Sequence, residues 1–217
     1  MIQKYIDQLK LTPAYDIYRY WQERNAYDKW KKKGCLVPPP PVVKQETVKT
    51  CAQRFSLDTL IETGTYLGEM VRATKHTFQR IISIEINETL ARKAQKKFSG
   101  YSHITIIQGD SSHVIKKILD EVQNPCLFWL DSHYSGGLTA KGASETPVMQ
   151  ELEHIFNHRI KDHVILIDDA RCFNGEHGYP DMQELRDFVM TKRPGWICEV
   201  QHDIILIHEK DKEKNTL

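Results

Sequence analysis

From about residue 44 onward, short apolar runs alternate with segments whose apolar positions recur every three or four residues. The runs are Leu60-Ile61, Ile81-Ile82-Ser83-Ile84, Ile104-Thr105-Ile106-Ile107, Leu127 to Leu130, Val164 to Ile167, Ile197 to Val200 and Ile204 to Ile207. Amphipathic segments between them include Glu88 to Phe98, Ser111 to Val122, Pro147 to His158 and Asp181 to Thr191. A short apolar run bounded by turn residues predicts a buried strand; the longer spacing predicts a helix with one buried face. Thr146-Pro147 opens one of these helices, and Asp181 with Glu184 forms a capping box for another. Buried strands alternating with helices predict a parallel sheet covered on both faces. The last two runs differ. Only a few residues around His202-Asp203 separate them, too few for a crossover, so they predict an antiparallel hairpin. The expectation is an α/β, doubly wound, mostly parallel sheet of about seven strands with a late antiparallel hairpin.

The pattern before residue 44 is different. Residues 1–34 read as an N-terminal helical extension. Thr12-Pro13 is an N-cap followed by Pro at the first helical position, and Gly34 suits the far end. Its aromatics are Tyr15, Tyr18, Tyr20, Trp21, Tyr27 and Trp30, which need a surface to bury against. That surface is expected near an acceptor site or across a homodimer interface. The stretch VPPPPVV over 37–43 favours extended polyproline II and reads as a stiff connector. The division is therefore 1–42 for extension and connector, and 43–217 for the domain that carries the sheet.

Composition narrows the function. Lys+Arg (30) and Asp+Glu (29) nearly cancel, leaving a net charge of +1 and no broad electrostatic case for a nucleic-acid partner. The run Lys31-Lys32-Lys33 reads as a solvated helix end. Five cysteines without a CxxC spacing disfavour a disulfide framework or a cysteine zinc site. The sequence MIQKYIDQLK lacks the apolar stretch of a signal peptide, and no run approaches membrane-spanning length. A reduced, cytoplasmic protein with no membrane partner is expected.

In an open parallel sheet, ligands bind beyond the carboxyl ends of the strands. The residues just past each predicted strand are therefore the candidate chemistry: Glu62-Thr63-Gly64-Thr65-Tyr66-Leu67-Gly68, then Glu85, then Gly109-Asp110-Ser111, then Asp131-Ser132-His133, then Asp168-Asp169. One strand-end carboxylate is commonly a turn former, but a series along one edge points to a site. Gly64 and Gly68 permit a tight turn between strand and helix. Glu85 can accept hydrogen bonds from both hydroxyls of a ribose. No basic residue lies in the glycine turn, and Glu62 would repel a pyrophosphate. A cationic ligand with a ribose, an amino group and no phosphate fits better.

That description matches S-adenosylmethionine, and over roughly residues 45–210 the chain resembles the class I S-adenosylmethionine-dependent methyltransferases, a Rossmann-like family. The resemblance implies that Glu62, Gly64 and Thr65, with Tyr66 in the same loop, hold the methionine part. It implies that Glu85 binds the ribose and that Gly109, Asp110 and Ser111 lie by the adenine. The late hairpin also matches. The family's middle glycine in the first loop is replaced here by Tyr66.

Strands four and five are neighbours in such a sheet, so Asp131, Asp168 and Asp169 converge. Gathering them costs repulsion unless a cation compensates, and hard oxygen ligands suit Mg²⁺. This resembles the metal-dependent O-methyltransferases of the catechol and macrocin (sugar) type, and implies a hydroxylated small-molecule acceptor. The rival reading has Asp131 touching only the cofactor and no metal. Adjacent strand residues face opposite ways, so Asp168 and Asp169 share a cation only where the strand has bent. His133, with an ordinary pKa near ~6.5, is the candidate base for a hydroxyl, with Tyr134 next. The loop from Ser132 to Glu145 reads as a lid, and Arg171, His177 and Tyr179 as acceptor contacts. A non-catalytic ligand-binding module on the same fold is the alternative from another class.

Overall fold

The structure is a computed structural model that describes residues 13–131 and 147–210. After helix α1 (Pro13–Lys32) and helix α2 (Pro41–Arg54), strands and helices alternate: β1 (Thr59–Thr63), α3 (Glu69–Thr74), β2 (Arg80–Glu85), α4 (Glu88–Phe98), β3 (Ile104–Gln108), α5 (Ser111–Glu121) and β4 (Leu127–Leu130). Then come α6 (Val148–Asn157), β5 (Val164–Ile167), a 3₁₀ turn (Ala170–Cys172), α7 (Met182–Lys192), β6 (Trp196–Gln201) and β7 (Ile204–Glu209). The seven strands lie in the order β3-β2-β1-β4-β5-β7-β6. β1 to β5 are parallel, and β7 runs antiparallel to both β5 and β6. This is the doubly wound sheet with a late hairpin that the apolar pattern predicts. The strand order reverses between β1 and β4, which opens the binding crevice at their carboxyl ends.

Side chains alternate faces along each strand, so two cores form. On one face Ile61, Ile82, Phe128 and Ile165 pack under α5, α6 and α7 through Ile115, Leu152 and Leu185. On the other face Leu60, Ile81, Trp129 and Leu166 pack under α2, α3 and α4 through Val48, Val71 and Phe98. The same alternation assigns the strand-end groups. Glu62 follows Leu60, Ser83 follows Ile81, Asp131 follows Trp129 and Asp168 follows Leu166 at a spacing of two. All four therefore belong to the face covered by α2, α3 and α4.

The chain differs from expectation at the prolines. Pro40 is extended, at φ −65° and ψ 153°, and serves as the N-cap; Pro41 is the first helical residue of α2. A proline at the first helical position loses no hydrogen bond, since that N–H has no partner within the helix. The extended connector therefore stops at Pro40, and Val43, Val48, Cys51 and Ala52 are buried on α2. Pro147 is the N-cap of α6, one position before the helix, and Thr146 lies outside the described residues; at α7 the sequence signal holds. Asp181 accepts from the Gln183 and Glu184 amides and completes the capping box with Glu184.

Helix α1 lies along the carboxyl edge of the sheet. Near its middle Arg19 pairs with Glu69 at 2.8 Å and Glu23 with Arg72 at 2.8 Å, both on α3 beyond β1. Near its end the Trp30 ring meets His202 edge-on at 5.0 Å, in the β6–β7 turn. The Trp30 indole N–H donates to the Leu36 carbonyl at 2.7 Å, and the side chain is buried. Tyr18 and Trp21 remain exposed. Trp30→Ala is expected to weaken docking of α1 by about 3 kcal/mol, as for other buried tryptophans. Limited proteolysis should then cut within α1 much faster while the circular dichroism of the sheet persists; an unchanged cutting rate would show that Trp30 does not anchor the helix.

Candidate functional site

The loop after β1 is held from below by β2. The Gly64 and Thr65 amides both donate to the Ile84 carbonyl, at 2.9 and 3.1 Å. The Tyr66 amide donates to Glu85 Oε2 at 2.6 Å. Three residues of the loop have positive φ: Gly64 at 89°, Tyr66 at 47° and Gly68 at 69°. Tyr66 thus follows the backbone path a glycine would take, at a cost of about 1–2 kcal/mol for a side chain in the left-handed region. Gly68 has no such latitude: a Cβ there would lie 2.7 Å from Phe98 Cε2.

A buried polar chain runs beneath this loop. The Ser83 hydroxyl donates to Glu62 Oε2. It is 2.5 Å from the Thr65 hydroxyl, which leaves Thr65 as the donor to it. The parallel register places Glu62 opposite Ser83. Burial pushes the Glu62 carboxyl up to about 8, against the pull of the Ser83 hydrogen bond and with a further push from Asp131 and Glu85. Glu85 is also buried; its other oxygen accepts from the Asn87 amide at 2.9 Å, so both oxygens brace the chain on either side of the crevice. Each carboxylate oxygen has two lone pairs, so acceptor capacity remains for hydroxyl donors.

Beyond β3, the Gly109 amide donates to the Glu85 carbonyl at 3.0 Å. Asp110 caps α5, accepting from the Ser112 amide at 3.0 Å and its hydroxyl at 2.6 Å, and Ser111 is buried behind it. Asp131 follows β4, and its amide donates to the Thr63 carbonyl across the point where the strand order reverses. His133, Tyr134 and the loop from Ser132 to Glu145, expected to carry the base and the lid, lie outside the described residues up to position 146.

Asp168 and Asp169 do turn toward one cation. Asp169 sits at φ 57° and ψ 50°, so the strand has ended and its carboxylate swings to the side of Asp168. The cation is the ammonium of Lys44, from the first turn of α2. Its Nζ lies 2.5 Å from Asp168 Oδ2 and 3.2 Å from Asp169 Oδ1. Burial alone would pull Lys44 down, but Asp168 with Asp169 and Asp131 outweighs it and holds the amine above its ordinary value. Burial, and then the Asp131 charge, push Asp168 up to about 7 against the pull of Lys44. Asp168 Oδ1 accepts the Asp169 amide at 2.8 Å. Asp169 Oδ1 also accepts from Arg171 Nη1 at 2.8 Å, and Arg171 pairs with Asp203 as well. Among the described residues no group of three His, Cys, Asp or Glu side chains is placed to hold a metal ion.

Of the expected acceptor contacts, Arg171 is committed to Asp169 and Asp203. Tyr179 packs edge-on against Phe173 at 5.1 Å, and its burial pushes the phenol well above its ordinary value. Three participants escape a strand-end reading. Ser83 is one, a polar residue inside an apolar run whose pairing with Glu62 follows from the register. Asp203 acts from the hairpin turn. Lys44 directly follows the 37–43 stretch that reads as connector and precedes the first predicted strand, yet Val43, Val48, Cys51 and Ala52 after Pro41 carry a helical signal that would have placed it.

Several solved structures share this fold. A Staphylococcus aureus protein named as a candidate caffeoyl-CoA O-methyltransferase matches with a TM-score of 0.60 at 14% identity, over 95% of this chain and 98% of that one. The O-methyltransferase TomG from Streptomyces achromogenes, involved in tomaymycin synthesis and solved with S-adenosylmethionine, matches at 0.56 and 15%, over 85% and 87%. An O-methyltransferase from Bacillus cereus solved with S-adenosylhomocysteine matches at 0.57 and 13%, over 85% and 88%. No protein-family model matches the chain, and no curated protein matches it in sequence. The fold is the Rossmann-like one that these methyltransferases share.

The raised Glu62 carboxyl has a measurable consequence. Its folded-state value of about 8 exceeds the ordinary 4.5, so the native state holds this proton more tightly than the unfolded chain. That contribution to stability is complete below the unfolded value and is lost as pH rises through the folded one. Glu62→Gln keeps a neutral polar group there at every pH. Its urea midpoint relative to wild type should therefore climb between about pH 5 and pH 8. A constant difference across that window would mean that Glu62 is not held protonated.

Proposed function

We propose that the protein is an enzyme, an S-adenosylmethionine-dependent methyltransferase acting on the hydroxyl of a small molecule, a sugar or natural product being the acceptor class. The observation that carries this reading is the pairing of Glu62 and Glu85 across one glycine loop at the strand-order reversal. Two acids flank a crevice that takes a cation with a ribose. Residues 43–217 would form the cofactor-binding domain, with helix α1 laid against its carboxyl edge. The Glu62, Gly64, Thr65 and Tyr66 loop would receive the methionine part. Glu85 would receive the ribose, and Gly109, Asp110 and Ser111 the adenine.

In the reaction the hydroxyl oxygen attacks the methyl carbon in line with the breaking S–CH₃ bond. The products are a methyl ether and S-adenosylhomocysteine, and the hydroxyl proton passes to a base. His133 is the base proposed from its place two residues beyond Asp131. The chain contributes orientation and exclusion of water. Mg²⁺ at Asp131, Asp168 and Asp169, the expectation from sequence, does not fit the residues as they stand. An ammonium lies within hydrogen-bond distance of two of the three carboxylates, and both Asp168 oxygens are engaged. The metal-independent form of the reaction is therefore the reading favoured here.

No helix among the described residues is long and apolar enough to cross a membrane. All five cysteines are unpaired, which supports a cytoplasmic setting. The near-neutral net charge supports a small-molecule rather than a nucleic-acid partner.

Calorimetry with S-adenosylmethionine and S-adenosylhomocysteine tests the cofactor directly. Glu85→Ala should weaken either ligand by about 1.5–3 kcal/mol, the range for hydrogen bonds to a charged group. Absence of binding to the wild-type protein would remove the methyltransferase reading in favour of another ligand on the same fold. A screen of hydroxylated sugars with methyl-labelled cofactor would then name the acceptor.

A further inference from the structure

We propose that Lys44 supplies from within the chain the cation that a divalent metal would otherwise supply at this edge, so that the acceptor is held by an ammonium and not by a metal ion. The inference rests on the methyltransferase reading above for the meaning of the acceptor site. The placement of Lys44 stands independently of it.

Three features fix that placement. Pro40 and Pro41 set the backbone at the start of α2, which limits where the first turn can lie. Val43, Val48, Cys51 and Ala52 then seat the helix on the sheet. The Lys44 side chain is four-fifths buried and ends between Asp168 and Asp169. Asp169 accepts a left-handed backbone, at φ 57°, to bring its carboxylate there. A strained non-glycine residue at the end of a strand is well explained when its side chain is needed for a shared cation.

The electrostatics agree. Asp131, Asp168 and Asp169 bring three acids together. Lys44 and Arg171 face them from α2 and from the 3₁₀ turn. A divalent ion among the same carboxylates would stand beside the ammonium, in a part of the protein where charges are poorly screened. The ammonium has three donors. Among the described residues two are used, on Asp168 Oδ2 and Asp169 Oδ1. The third is left for an acceptor oxygen, where a fixed positive charge favours the developing alkoxide.

Mn²⁺ alone, followed by loss of the free-ion paramagnetic resonance signal, is the probe. It is titrated into the full-length protein with and without S-adenosylhomocysteine. Wild type should show no binding that Asp168→Asn removes. Lys44→Met should bind Mn²⁺ at least about 100-fold more tightly than wild type, since a neighbouring positive charge has been deleted. Adding Asp168→Asn to Lys44→Met should abolish that gain. A merely structural lysine outside the cation position would give no such gain. Stoichiometric Mn²⁺ binding by wild type, lost in Asp168→Asn, would overturn the proposal, as would a Lys44→Met protein that binds no better than wild type. Should Lys44→Met fail to fold, Lys44→Gln retains hydrogen bonding without charge, and the wild-type titration still decides. Failure of the methyltransferase reading shows separately, as absent S-adenosylhomocysteine binding in calorimetry, and leaves the Mn²⁺ result interpretable.

Discussion

The carboxyl edge of this sheet depends on one constraint: acids buried at the ends of parallel strands must be neutralised where they stand. An unpaired carboxylate out of water costs several kcal/mol. The chain meets the constraint in two ways. Glu62 is neutralised by holding its proton, with Ser83 beneath it. Asp168 and Asp169 are neutralised by the ammonium of Lys44 and, for Asp169, the guanidinium of Arg171. Each solution recruits structure from elsewhere. The first needs β2 in register with β1. The second needs α2 seated on the sheet and the hairpin turn present, because Asp203 holds Arg171 in place.

That dependence makes the N-terminal segments part of the edge. Helix α2 packs on the core through Val48 and Cys51 and delivers Lys44. Helix α1 runs across the same edge from α3 to the β6–β7 turn, tied at one point by Glu23 and Arg72 and at another by Trp30 and His202. Ion pairs at partly exposed positions contribute little on their own. The buried indole therefore carries most of the docking. The exposed rings of Tyr18 and Trp21 lie on the part of α1 away from that anchor.

The sheet was legible in the sequence because its buried strands are short, predominantly apolar runs, uninterrupted in β4 and β5. β4 and β5 match their runs residue for residue, since both flanks of those strands are turn-forming. The strand-end acids were legible for the same reason: they are the first polar residues after an apolar run. What escaped was long-range. Lys44 pairs with residues more than a hundred positions away, and nothing local to Pro40-Pro41 announces it. The proline run also misled at its far end, because proline is unfavourable within a helix but well placed at its first position. Tyr66 is the converse case. A tyrosine stands where the resembled family has a glycine, yet the backbone keeps the left-handed turn and bears the strain.

The edge is electrically uneven, and the unevenness bears on how a transfer reaction would be arranged. On the β1–β2 side, Glu85 is met by two backbone amides and Glu62 by a hydroxyl. Lys97 reaches this side only at the rim, donating to the Leu67 carbonyl at 2.7 Å. On the β4–β5 side, two fixed cations already answer the acids. A cationic ligand gains from the first side, where Glu85 is met by amides and not by a cation and Glu62 can give up its proton beside a positive charge, and gains little from the second. A neutral hydroxyl compound has the opposite preference, since it brings no charge and can accept from an ammonium. On the proposed reading, the sulfonium therefore settles over the glycine loop and the acceptor beside Lys44. Asp131 lies between them, its amide tied to the end of β1 and its carboxylate within the field of both sides.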